Sequence, residues 1–346
     1  MCQKIYITLS HFYFLESVDS MSQFHLEYNN DENNGLLYEG ENMIDFLRKE
    51  GINEKLIIEI EKFKEFYKVD STCDYRIPQP KYNYYGNDIW EQAITALLCG
   101  ENILLVGSKA TGKNVLAENL ACVFGRPKWD ISFHVNTDSS TLIGTDTFEN
   151  GQVVFRHGPI YECAKWGGFG VLDEINMAKN DSMAVLHATL DYRRIIDVPG
   201  YDKIVLDDAV RFIATMNYGY AGTRELNEAL TSRFMVINMP AISSENLKKL
   251  LLKEFSNINN DYLDQFIGLF QDLKLKSENS EISTKTVDLR GLISAIHLMD
   301  KGLDANKALE MGITNKSFDD FERKLVEDAI KLRIPEKLER NEIFIY

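Results

Sequence analysis

The segment Gly107-Ser108-Lys109-Ala110-Thr111-Gly112-Lys113-Asn114 follows the apolar run Ile103 to Val106 and leads into a helical pattern beginning near Val115. Its glycines let successive backbone amides turn toward one point, and the amino end of the helix adds positive potential there. Lys113 supplies a full charge, so the segment is suited to wrapping a phosphate chain. The plain alternative, a glycine-containing strand-to-helix turn without a ligand, does not need all these features together. Gly107, Ser108, Lys109, Ala110, Thr111, Gly112, Lys113, Asn114 and Val115 are therefore the expected cofactor-binding residues. One position is unusual: Asn114 stands where such loops carry Ser or Thr, whose hydroxyl ligates Mg²⁺. An amide oxygen is also a hard neutral ligand, so Asn114 stays a candidate metal ligand, with slower turnover expected.

A strand, loop and helix in this order commit the neighbouring chain to a parallel sheet with helices on both faces. Apolar runs at 102–106, 131–135, 170–172, 210–215 and 235–238 alternate with helical patterns at 88–98, 115–124, 181–190 and 225–231, which predicts an α/β core of five strands. After Pro240 the helical period dominates, at 245–255, 262–275, 287–298 and 318–331. Ahead of the core lie helical patterns at 43–49 and 54–67, preceded by a polar stretch from Tyr28 to Asn34, and Pro78 and Pro80 interrupt regular structure after them. The expected division is an acidic helical appendage over 1–76, an α/β nucleotide domain over 77–240 and a helical lid over 241–346.

Sixty residues after Lys113, the run Gly168-Phe-Gly-Val-Leu ends in Asp173-Glu174. Alone, such a pair is more often a strand-to-loop exit. Following a phosphate loop at this distance, it reads as Asp173 holding Mg²⁺ and Glu174 taking the proton of an attacking water. A third run, Val210 to Met216, delivers Asn217 to the same sheet edge, where an amide could orient that water, although Asn after a strand is usually a turn residue. Arg224 and Arg233 flank a short helical pattern; each is a surface charge by default or a guanidinium for the γ-phosphate of a neighbouring copy.

A formal charge of −15 argues against broad contact with nucleic acid, which needs clustered Lys and Arg. Five scattered cysteines without a CxxC pair suggest neither a disulfide framework nor a zinc site, and a reducing, cytoplasmic setting fits them. The six histidines show no metal-ligand spacing. No apolar run approaches the roughly 20 residues a membrane span requires. The apolar stretch Ile5 to Leu15 is a poor secretion signal, and Met21 offers an alternative start.

Taken in order, these motifs resemble the AAA+ ATPases, and within them the MoxR-type group with its relatives NorQ, CbbQ and the dynein-related AAA modules, over residues 78 to 300. The resemblance is carried by Thr141-Leu-Ile-Gly144 through Gly151 to Gly158-Pro159-Ile160, similar to the hairpin inserted in helix 2 of that group (141–158). It is also carried by Arg193 to Leu206 (193–206), similar to the hairpin before sensor 1, and by the Asp173-Glu174-Ile-Asn176 form of Walker B. Read from residues alone, Gly151 amid alternating apolar residues marks a β-hairpin. The resemblance implies Lys113 in Walker A, Asp173 and Glu174 in Walker B, Asn217 as sensor 1 and Arg233 as an arginine finger acting in trans. Sensor 2 falls to Arg290, with Lys285 as its competitor. Tyr218 replaces the proline that relatives often carry after sensor 1.

The resemblance further implies ATP and Mg²⁺ as cofactors, assembly into a ring, by analogy a hexamer, and chaperone-like remodelling of a protein client. A von Willebrand factor A domain protein is the implied companion. Two competing readings stand beside it: an McrB-like nucleic-acid motor, disfavoured by Met216-Asn-Tyr-Gly-Tyr-Ala in place of that group's signature, and a nucleotide-gated scaffold that does not hydrolyse because of Asn114. The aromatic cluster Tyr82, Tyr84 and Tyr85 is open between stacking on a base and packing at a domain boundary.

Overall fold

Helix formation begins at caps the sequence supplies. Asn42 and Asn53 accept amide hydrogen bonds at the starts of α1 (Met43–Lys49) and α2 (Glu54–Phe66). In the computed structural model, residues 42–198, 201–218 and 226–345 are described. The readings on Met21, on the N-terminal apolar and polar stretches and on Arg224 lie outside them, as do residues 199–200 of the segment 193–206.

Next come α3 (Asn87–Leu98), β1 (Ile103–Gly107), α4 (Lys113–Val123), β2 (Lys128–Ser132), α5 (Ser139–Ile143), β3 (Gly144–Glu149), β4 (Gln152–His157), α6 (Pro159–Lys165) and β5 (Phe169–Asp173). They are followed by α7 (Asn180–Thr189), β6 (Ile195–Ile196), β7 (Ile204–Val205), β8 (Arg211–Asn217), α8 (Glu228–Thr231) and β9 (Met235–Asn238). The remainder is helical: α9 (Ser244–Glu254), α10 (Asn260–Glu278), α11 (Leu289–Asp300), α12 (Ala305–Gly312), α13 (Asp320–Arg333) and α14 (Arg340–Ile343).

The main sheet is parallel, in the order β2-β5-β8-β1-β9. Every residue of β1 is buried, as a central strand covered on both faces requires. The α/β fold with a five-stranded parallel core and helical C-terminal region is the one expected. Two details differ. The second strand is 128–132 rather than 131–135, because β2 is an edge strand whose alternation continues in phase beyond its end. Trp129, Ile131 and Phe133 are all buried. Pattern alone cannot locate such a boundary; pairing of Lys128 through Ser132 with Phe169 through Asp173 does.

The second difference concerns α1 and α2. Leu47, Ile57 and Ile60 are fully buried in one core with Trp90, Ile94, Leu97, Leu120 and Phe124, and the Phe63 and Phe124 rings meet edge to face at 5.2 Å. These helices are thus structural parts of the nucleotide domain, and Glu41–Tyr346 forms one compact unit in place of an appendage ending at 76. Their burial of large aliphatic side chains contributes roughly 1.5–3 kcal/mol each. A separate core, including Leu251, Phe266, Leu292, Ile296 and Phe344, organises the C-terminal helices.

Strands β3 and β4 pair antiparallel around Asn150-Gly151, both at positive φ (50° and 82°), the geometry of a two-residue hairpin turn. This hairpin stands between α5 and α6. The short β6–β7 pair stands beside it, and Tyr201 donates from Oη to Asp146 Oδ1 at 2.5 Å while its ring lies 4.7 Å from that of Phe155.

Candidate active site

Parallel register decides which residues meet at the carboxyl edge of the sheet. Gly107 of β1 lies opposite Asn217 of β8, and Leu172 of β5 lies opposite Ala214, so three strands release their following loops at one place. In open α/β sheets that edge is where ligands bind.

The loop from Gly107 to Gly112 is tightly packed from below. A side chain at Gly107 would come within 2.9 Å of the Met239 carbonyl oxygen. Gly112, the residue before α4, takes φ 82°, and a Cβ there would meet the Tyr84 ring at 3.1 Å. Lys113 folds back into the loop, donating from Nζ to the carbonyls of Gly107 (3.0 Å) and Ser108 (2.8 Å) and to Thr111 Oγ1 (3.3 Å). Burial brings its ammonium down to about 8, against the opposing effect of the neighbouring Asp173 and Glu174 carboxylates. Lys113, Asp173 and Glu174 therefore share one electrostatic site.

Thr215, not singled out in the sequence, organises the acids. Its hydroxyl donates to Asp173 Oδ1 at 2.6 Å and accepts the Glu174 amide at 3.0 Å. That second bond holds Glu174 in the left-handed region, φ 54°, a strained setting for a residue with a side chain and one that clusters at functional sites. Asn217 Nδ2 donates to Glu174 Oε1 at 3.0 Å, and Asn176 Nδ2 holds the Asn217 carbonyl at 2.9 Å. The available signal was Thr215 itself, a hydroxyl among the apolar residues Phe212 to Met216.

Asn114 is exposed in the first turn of α4. The acid pair beside the loop offers oxygen donors, Asp173 among them, and no group of three His, Cys, Asp or Glu among the described residues forms a protein cage. Such a set suits Mg²⁺, which keeps waters and shares phosphate oxygens, better than a transition metal.

A cavity of about 680 Å³ opens beside the loop, lined by Tyr84, Tyr85, Thr111, Gly112, Val236 and Leu289 among others. Tyr84 is packed under Gly112 and Gly86, its hydroxyl pushed up to about 12 by burial, with Asp88 adding to the effect. Tyr82 is held elsewhere, its carbonyl accepting from Asn119. Leu289 is the first residue of α11, among the C-terminal helices. At its neighbour Asp288, burial opposes ionisation, but Lys316, the Gly291 amide and Lys109 of the phosphate loop together hold the carboxyl below its ordinary value. The start of α11 thus faces the loop. Arg290 and Lys285 are both exposed there, and Arg290 donates its amide to Asp288 Oδ1.

Arg233 does not join Lys113. Its Nε donates to the His187 carbonyl at 3.2 Å, Nη1 to the Ala229 carbonyl, and Nη2 pairs with Asp191 at 3.6 Å. Burial together with this guanidinium lowers the His187 pKa.

A profile of the AAA domain (dynein-related subfamily) matches residues 102–234, spanning the phosphate loop, the acid pair and β8. YojN of Bacillus subtilis (strain 168), an uncharacterized protein, is 36% identical over 239 residues, 68% of this chain and 78% of its own length. The chain belongs to the AAA family, dynein-related subfamily. An uncharacterized protein of Staphylococcus epidermidis is 33% identical over 262 residues, covering 73% of this chain and 98% of the relative. One of Staphylococcus aureus is 31% identical over 258 residues, covering 72% and 97%. Among the described residues of this AAA protein, no helix is long and apolar enough to cross a membrane.

Proposed function

We propose that this AAA protein binds ATP with Mg²⁺ and hydrolyses it within a ring, coupling turnover to remodelling of a protein client in the manner of the MoxR-type group. The observation that carries the reading is the junction of Lys113 with Asp173 and Glu174 beneath the phosphate loop, with Asn217 bonded to Glu174. Amides of 107–113 and the Lys113 ammonium bind the phosphates. Asp173, oriented by Thr215, and Asn114 would hold Mg²⁺, which supplies positive charge to the phosphate oxygens. Glu174 takes the proton of the attacking water, and Asn217 orients that carboxylate. Arg233 serves the site of a neighbouring copy, and Arg290, with Lys285 as its competitor, closes the site from the lid.

The client side of the proposal is supported by the β3–β4 hairpin. Phe148 and Val153 face each other across its tip at 75% and 64% exposure, apolar surface without a use inside the subunit. The partner is thus expected to be a protein, a von Willebrand factor A domain protein in the group's pattern, rather than nucleic acid. Measuring phosphate release and sedimentation with and without ATP tests the core of the reading. Phosphate release with ring formation supports it, and ATP binding without any release by the assembled protein overturns hydrolysis.

Two predictions arise here. Lys113 loses its proton near 8 in the free protein, whereas a bound polyphosphate favours the ammonium, so binding above that pH takes up a proton. ATP affinity is then expected to fall with rising pH by up to about tenfold per unit from pH 8 upward, as read by calorimetry in buffers of different ionisation enthalpy. Lys113→Arg, always charged, should show no such proton uptake, and equal wild-type affinities at pH 7 and pH 9.5 would remove Lys113 from the phosphate site. Asn114→Thr is expected to lower the Mg²⁺ concentration for half-maximal turnover by about fivefold, the equivalent of one contact of about 1 kcal/mol. An unchanged Mg²⁺ dependence and rate would show that Asn114 does not touch the metal.

A further inference from the structure

We infer that Asp191 is the positioning residue for Arg233, fixing the guanidinium at the angle from which it meets the nucleotide of a neighbouring copy. The inference rests on the trans role proposed above for Arg233. Asp191 directly follows Leu190, the C-cap of α7, where the negative end of the helix dipole disfavours a carboxylate. Guanidinium groups compensate it. Oδ1 accepts from Arg193 Nε at 2.8 Å and from the Arg193 amide at 3.2 Å, while Oδ2 faces Arg233 Nη2 at 3.6 Å. Asp191 is 14% exposed and Arg233 25%, so the pair is sheltered without being sealed.

The other Arg233 bonds define its pose. The carbonyls of His187, in the last turn of α7, and Ala229, in α8, take Nε and Nη1. A guanidinium carries five N–H groups in a rigid plane. Two are spent on carbonyls and one faces Asp191, which leaves two to meet a phosphate. Without Asp191, the two carbonyls still hold Nε and Nη1, but Nη2, the terminal nitrogen on the remaining side of the plane, loses its anionic partner. Helix α7 also starts at Asn180, a short way beyond Glu174, so the same element joins the acid pair of one site to the arginine that serves the next.

Asp191→Asn should leave KM for ATP unchanged and lower kcat on the order of 100-fold, the scale of a misplaced catalytic group. Asp191→Glu, which keeps the charge one methylene further out, should give an intermediate kcat and stands in if the Asn variant fails to fold. The decisive measurement mixes full-length variants before ring assembly. Glu174→Gln subunits have an intact arginine and an idle site, whereas Asp191→Asn subunits have an intact site and a misplaced arginine. Mixed rings are expected to regain turnover well above either variant alone. Arg233→Ala mixed with Glu174→Gln runs in parallel. Recovery there but none with Asp191→Asn overturns the inference about Asp191 and leaves the trans reading standing. No recovery in either mixture removes the trans reading and this inference with it. Wild-type kcat in Asp191→Asn alone also overturns it.

Discussion

Glu174→Gln is expected to lower ATP turnover by about 10²–10⁴-fold while ATP affinity is retained, because the change removes a proton acceptor and little else. The amide has the size of the carboxylate and offers the same Oε1 to Asn217 Nδ2, which now stands 3.0 Å away. The backbone bond from Glu174 to Thr215 does not involve the side chain, so the left-handed turn survives. What is lost is the basicity needed as the water's proton departs. Single-turnover phosphate release together with calorimetric ATP binding checks both halves. A variant that binds ATP and releases phosphate at the wild-type rate would mean that another group accepts the proton. If the ring forms on ATP binding, this variant should also hold it assembled, since the bound state no longer decays.

Arg233→Ala is the second large effect, with an expected loss of about 10³–10⁵ in kcat, the range for removing a guanidinium from a phosphoryl-transfer transition state. The competing view makes Arg233 a clasp between α7 and α8, since its bonds to His187 and Ala229 lie within the subunit. The two views separate on a second variant. Arg233→Lys keeps the charge but loses the planar fork, so a trans finger fails with Lys almost as with Ala. Loss of a clasp shows mainly in stability, by about 1.5–3 kcal/mol per hydrogen bond from the charged guanidinium. Thermal melting and kcat measured on the same preparations distinguish them: an Arg233→Ala protein that melts early but turns over normally per folded molecule would reject the finger.

Much of the architecture was legible in local patterns. Strands β1, β5, β8 and β9 and helices α3, α4, α9, α10, α11 and α13 fall close to their predicted ranges, because apolar periodicity and caps such as Asn53, Ser243 and Asp288 act within a few residues. Some short elements were not legible. Helices α5, α6 and α14 are too brief to show a period, and β2 carries an alternation that runs past its pairing partner. The packing of α1 and α2 was hidden for another reason: the stripe Ile57, Ile60, Phe63 announces an apolar face but does not name the surface that covers it.

The site divides along the same line. The order of residues along the chain alone determined the phosphate loop, the acid pair and the asparagine that follows β8, since each is a residue type at the end of an apolar run, and glycine spacing and charge at a strand exit are chemically informative where they stand. Only the tertiary structure decided that Thr215 bridges Asp173 and Glu174, that Asn217 reaches Glu174, and that Arg233 turns toward Asp191 rather than toward Lys113. These meetings depend on the parallel register of β5, β8 and β1 and on the approach of α7 to α8, which join residues about forty positions apart. Side chains at that separation carry no mutual signal in a local window, because the strands and helices that pair them form only when the whole sheet closes.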